Sequence, residues 1–178
     1  IARIVSLYSD VNMRTQTVAS TAQYLPMVNS GKLAFGVSNI AQLTYAYHGT
    51  GLSKGKPHKN LRLIAGLFSF RNGLIVRQSS GIESIANLKG KRLSAGFSST
   101  PLARYLHSAM LATGGLTYDD VIKVPVANWP GMYNAFWEGD GRVVAATGVV
   151  GAGIIERADS KVGGVNFVSL AHTPEAVK

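Results

Sequence analysis

Residues 92–113, RLSAGFSSTPLARYLHSAMLAT, hold the pattern that decides the fold. The opening, RLSAGF, is a short apolar run and reads as a strand over 92–97. Ser98, Ser99 and Thr100 then stand before Pro101, and hydroxyl residues ahead of a first-turn proline mark a helix start. The helix is expected over 100–113 and stops at Gly114 and Gly115. A strand that runs through small hydroxyl residues into a helix is half of a βα unit. Free backbone N–H groups and the positive end of the helix dipole make such a junction a place for a carboxylate or a phosphate.

The same grammar continues in both directions. Downstream, strands are expected over 122–126, 142–148 and 165–170, with helices over 130–137 and 152–158. Upstream lie a short helix over 84–88, an extended piece over 74–77 and a long strand over 61–70. Shorter strands are expected over 13–19 (MRTQTVA) and 33–37 (LAFGV). Residues 1–9 read as the end of an amphipathic helix. Ser20 and Thr21 are cap candidates for a helix that carries Pro26 and stops at Gly31. Ser38 and Asn39 cap another, through Tyr47 and ended near Gly49 and Gly51. Strands alternating with helices imply an α/β fold, with mostly parallel sheets covered by helices on both faces.

Three junctions share the opening pattern: Ala19-Ser20-Thr21, Ser38-Asn39 and Ser98-Ser99-Thr100. Ordinary helix capping accounts for any one of them. Three, spread over two halves of the chain, point to a shared cleft, because ligands of open α/β sheets bind outside the carboxyl ends of the strands.

Composition narrows the classes. The 178 residues are 46% hydrophobic and only 15% charged, with 20 glycines, which is a globular balance. No apolar run approaches the length that spans a bilayer. The absence of cysteine removes disulfides and cysteine–zinc sites. The net charge of +9 favours anionic partners, but the basic residues are dispersed. Their densest cluster, Lys54, Lys56, His58, Lys59 and Arg62, sits beside Gly55 and Pro57 and reads as a solvated loop rather than a nucleic-acid patch.

Catalytic patterns are missing. His48, His58, His107 and His172 show no metal-ligand spacing, so no metal is expected. Asp119 and Asp120 are adjacent and would not both face one site. Residues 49–57 (GTGLSKGKP) approach a phosphate-binding loop, but Pro57 stands where a magnesium-binding hydroxyl belongs. Residues 148–153 (GVVGAG) lack the dinucleotide glycine spacing. No cofactor and no enzymatic activity are expected.

Several motifs, in order, resemble one family. They are residues 28–51 (VNSGKLAFGVSNIAQLTYAYHGTG), Gly81-Ile82-Glu83-Ser84, Leu88-Lys89-Gly90-Lys91-Arg92, and Leu116-Thr117-Tyr118-Asp119-Asp120-Val121. Together they resemble TAXI-type solute receptors of TRAP transporters, the extracytoplasmic immunogenic proteins. The resemblance implies a class II periplasmic-binding-protein fold: two α/β lobes joined by a hinge. Lobe one would hold residues 1–70 and 165–178, and lobe two residues 71–164. The crossings would lie near 68–72 and 163–166. It implies a periplasmic receptor that captures a small organic anion, glutamate-like or a 2-oxo acid, for membrane permease subunits. It also implies ligand loops at Ala19, Ser20 and Thr21, at Ser38 and Asn39, at Ser98, Ser99 and Thr100, and at Gly148 and Val149. Arg104, one turn into its helix, and Arg71, beside the hinge, are candidate grips for a carboxylate. Tyr45 or Trp129 would wall the cleft.

The family pattern also implies a first-lobe strand before Ile1 and helices after Lys178, so a fragment with an incomplete first lobe and open sheet edges is expected, and a signal peptide is expected to lie outside it. Two other readings share the architecture. One is the effector-binding half of a transcription regulator, which requires an upstream helix-turn-helix. The other is a cofactor-precursor enzyme, which requires a catalytic set in the cleft.

Overall fold

The structure is a computed structural model that describes residues 2–18, 20–138 and 142–171. The chain forms two compact units, Ile1–Arg62 and Leu63–Lys178.

The first unit is helical: α1 (Ala2–Tyr8), α2 (Thr21–Asn29) and α3 (Ile40–His48). Leu25, Ala46 and Leu61 form its core, with Tyr24, Val28 and Leu43 packed around them. α3 starts where the Asn39 side chain accepts the Gln42 N–H at 2.9 Å. It stops at Gly49, whose φ of 70° lies in the left-handed region that only glycine enters freely. Pro26 is accommodated inside α2.

The strands expected in this part do not form. Residues 13–18 and 33–37 and the segment 61–70 contain no strand. Strand formation needs a neighbour that supplies the facing N–H and C=O groups, and the sheet among the described residues is built elsewhere. Apolar side chains on these segments therefore stay exposed, among them Phe35, Val37, Leu63, Ile64, Leu67, Phe68 and Phe70. Residue 19, the end of one expected strand, lies outside the described residues.

The second unit holds one five-stranded sheet. Its strands are β1 (Asn72–Arg77), β2 (Arg92–Gly96), β3 (Ile122–Val126), β4 (Ala145–Val149) and β5 (Val165–Phe167), in the order β3-β2-β4-β1-β5. β2 runs parallel to β3 and β4, while β1 is antiparallel to both β4 and β5. The sheet is therefore mixed: β2, β3, β4 and β5 run one way, mostly parallel as expected, and β1 is the reversed strand. Helices α4 (Leu102–Thr113), α5 (Trp129–Trp137) and α6 (Gly153–Val162) complete the unit. The expected helix over 84–88 is a 3-10 turn, Ile85–Leu88, closed by a Ser84–Asn87 capping box. Residues 165–168, placed with lobe one by the sequence reading, pair with β1, and Val168 is buried in this unit's core.

Period-two alternation divides the core. Leu74 and Val76 of β1 pack on one face with Leu88, Leu93 and Leu111. Ile75 packs on the other with Phe97, Met132 and Phe136. On β4, Ala145 serves the first face and Ala146 the second. Both faces are covered, as expected. Each fully buried side chain of the size of Leu93 or Phe136 contributes about 1.5–3 kcal/mol. No helix among the described residues is long and apolar enough to cross a membrane.

Candidate functional site

Strand direction fixes where a site can form. β2, β3 and β4 point the same way, so their carboxyl ends share one edge of the sheet. β1 runs oppositely, so its first residue lies at that edge too, with Asn72 opposite Val149. The edge thus collects, in sheet order, Ala127, Ser98, Val149 and Arg71. Neighbouring strands lie ~4.8 Å apart, so these positions span roughly 14 Å.

At this edge the chain turns sharply after β2. Gly96 has φ of 89° and Phe97 has φ of 52°. A bulky residue in the left-handed region is uncommon and costs of order 1 kcal/mol, so the surroundings must hold it there. They do so in two ways. The Phe97 N–H donates to the Val126 carbonyl at 2.7 Å, and the Ser99 N–H to the Ala127 carbonyl at 2.9 Å. The Phe97 ring is fully buried, edge-on to His107 at 5.1 Å and tilted against Trp129 at 5.7 Å. This lifts Ser98 and Ser99 to the surface. A cavity of about 330 Å³ opens beside them, lined by Gly96, Ser98, Pro125, Val126 and Ala127.

Against the Phe97 ring lies a buried polar cluster. His107 Nε2 shares a hydrogen bond with Thr147 Oγ1 at 2.6 Å. Tyr133 donates its hydroxyl to the Thr147 carbonyl at 2.6 Å. Burial lowers the His107 pKa from 6.5 to about 4, so the ring is neutral at pH 7. The cluster ties α4 and α5 to the end of β4, one residue before Gly148.

The expected site residues fall into three groups. Ser98 lines the cavity, Ser99 and Thr100 follow it in the chain, and none of the three caps α4. Pro101 occupies the cap position and no side chain bonds there. The hydroxyls therefore stay available, and Thr100 Oγ1 is buried without a partner. Arg71, Gly148 and Val149 come together at the same edge, where the Arg71 carbonyl accepts the Val150 N–H at 3.0 Å. Gly148 is itself buried. A Cβ there would lie 2.5 Å from Ile75 Cγ2 and 2.8 Å from Ile155 Cδ1, so close packing accounts for this glycine. Arg104 is exposed on α4, where its charge acts on the Tyr118 hydroxyl; burial is the larger influence there and raises that hydroxyl's pKa.

The remaining candidates lie in the first unit. Ser20 is the N-cap residue of α2, but its side chain makes no cap hydrogen bond, and Thr21 is the first helical residue. Asn39 is consumed as a cap, and Ser38 donates its hydroxyl to the Asn39 carbonyl at 3.1 Å. The Tyr24 hydroxyl donates to the Val37 carbonyl, which brings the segment before Ser38 against α2. Ala19 lies outside the described residues. Tyr45 packs under Gly51, where a Cβ would lie 2.7 Å from its ring.

The sequence reading missed residues 125–128. Asn128 accepts the Gly131 N–H at 2.9 Å and starts α5, with Pro130 in the first turn. That asparagine–proline start was visible in the sequence as another strand-to-helix junction. Among the described residues no group of His, Asp and Glu could hold a metal ion.

The family profile described as the NMT1-like family matches residues 1–176. Among solved structures, a putative periplasmic sulfonate-binding protein from Methylobacillus flagellatus KT is 24% identical, with a TM-score of 0.53, over 84% of this chain and 42% of its own. An ancestral arginine-binding protein bound to arginine is 15% identical, with a TM-score of 0.54, over 98% of this chain and 69% of its own. The holo arginine-binding protein of T. maritima is 11% identical, with a TM-score of 0.57, over 96% of this chain and 65% of its own. These likenesses establish a periplasmic-binding-protein fold. The chain spans about two fifths of the length of the sulfonate-binding protein it matches.

Proposed function

The chain belongs to the NMT1-like family, and from that premise we propose that it is the ligand-holding part of a periplasmic solute receptor that captures a small organic anion. The observation that carries this reading is the cavity at the carboxyl ends of β2 and β3. Its lining includes Ser98, whose hydroxyl is not used as a helix cap, and Ser99 and the unpartnered Thr100 hydroxyl follow it in the chain. Hydroxyl donors at a helix start are suited to carboxylate or sulfonate oxygens. Arg71, at the same edge, adds a guanidinium that can grip a carboxylate.

A two-lobed division is part of this proposal: residues 1–70 with the tail after β5 as one lobe, and the sheet unit from residue 71 through β5 as the other. β1 enters the sheet, and the chain after β5 leaves it, at the edge that carries the cavity. That placement supports a hinge beside the ligand. The finer assignment is a TAXI-type receptor that delivers its ligand to TRAP permease subunits and performs no chemistry itself. Its support is the motif resemblance.

The test is a thermal-shift panel of glutamate, 2-oxoglutarate, an alkanesulfonate and arginine. A ligand at a hundred times its dissociation constant adds about 2.7 kcal/mol. The expected outcome is a shift with an anion that disappears in Ser98→Trp, which fills the cavity. A shift with arginine alone, or an anion shift unchanged in Ser98→Trp, overturns the reading.

A further inference from the structure

A second groove lies between α5 and α6 and shares no lining residue with the first cavity. Its volume is about 320 Å³, and Trp129, Pro130, Tyr133, Asn134, Trp137, Ile154 and Arg157 line it. Trp129, Tyr133 and Trp137 are spaced four residues apart and form one stripe along α5. At 1.5 Å per residue the stripe is about 12 Å long. An extended peptide advances ~3.3 Å per residue, so about four residues fit along it.

The floor of the groove is fixed in advance. The Tyr133 hydroxyl is held by the Thr147 carbonyl at 2.6 Å, and its ring stacks on Trp137 at 5.5 Å with a 16° tilt. A preordered aromatic floor loses little entropy when a partner arrives. The charge is one-sided. Arg157 sits 5.3 Å from the Trp137 ring centre and Lys161 5.1 Å from it. Among the described residues the only ion pair joins Lys123 to Asp119, so neither cation has a carboxylate partner there. Asp159, on the same helix, spends its Oδ1 on the Val165 N–H at 2.8 Å.

We infer that the groove between α5 and α6 docks a carboxylate-bearing peptide segment of a partner protein. Fixed aromatics beside cations that have no carboxylate partner among the described residues are the composition of interface anchor points, and the complementary partner carries both apolar and acidic residues. A second copy of the chain fits poorly, because it would bring a net charge of +9 against the same two cations. The inference is independent of the solute cavity.

The probe is a labelled, end-blocked hexapeptide of sequence Glu-Glu-Leu-Glu-Glu-Leu, titrated with the folded chain and followed by fluorescence anisotropy. Saturable binding is expected. The double variant Arg157→Glu/Lys161→Glu should weaken it by about tenfold or more, and Trp137→Ala should weaken it as well. The control Lys89→Glu/Lys91→Glu makes the same change in net charge away from the groove and should leave affinity within about twofold. Circular dichroism verifies the fold of each variant. Equal loss in the control would mean general charge attraction and overturn the inference. So would unchanged binding in the groove variant, displacement by an equal concentration of free glutamate, or no binding at all.

Discussion

Phe97 and His107 show how single residues hold the candidate site. Phe97 takes a left-handed φ that phenylalanine disfavours, and its ring is locked by His107 and Trp129. His107 is neutral because burial lowers its pKa to about 4. An unfolded chain takes up that proton near 6.5, so unfolding between pH 6.5 and 4 binds a proton that the folded state refuses. Stability should therefore fall as pH drops through this window, by about 3 kcal/mol in all. Urea denaturation at pH 7 and pH 4.5 measures it, and His107→Gln should flatten the dependence. The reverse trend, or an unchanged slope in the variant, would refute this account of the ring. Gly148 makes a similar case. Gly148→Ala pushes a methyl into Ile75 and Ile155 and should cost about 1–3 kcal/mol by chemical denaturation, with no requirement that ligand be present.

Among the elements, legibility follows whether the deciding physics is local. The β2-to-α4 unit was readable because its apolar run, its proline and its closing glycines are all contiguous. What the sequence could not reveal is that Pro101 takes the cap position and leaves Ser98, Ser99 and Thr100 uncapped, since one backbone turn at Gly96 and Phe97 decides that. The segments 33–37 and 61–70 read as strands because of their side chains, yet strands are made by neighbours. Without a paired neighbour the pattern has nothing to act on. The reversed direction of β1 was invisible for the same reason. Asn128 is a local signal that went unread. Its cap bond to the Gly131 N–H predicts that Asn128→Ala lowers stability by about 1 kcal/mol, measured as a fall in melting temperature.

The whole molecule consists of a sheet-based unit with two covered faces and a helical unit with a small core. At the start of the second unit, ahead of β1, Leu63, Ile64, Leu67, Phe68 and Phe70 remain exposed. Such a run favours pairing with other chains. Light scattering of the isolated chain should show self-association that grows with concentration. A monomer across the range would contradict this. The candidate cavity, by contrast, lies entirely in the sheet-based unit, at the edge where the chain enters and leaves the sheet. The most direct test of the account is therefore the melting temperature of the chain with and without saturating organic anion, in the wild type and in Ser98→Trp. The account predicts a rise with an anion that Ser98→Trp abolishes; no rise with any carboxylate or sulfonate, or a rise that survives the substitution, would contradict it.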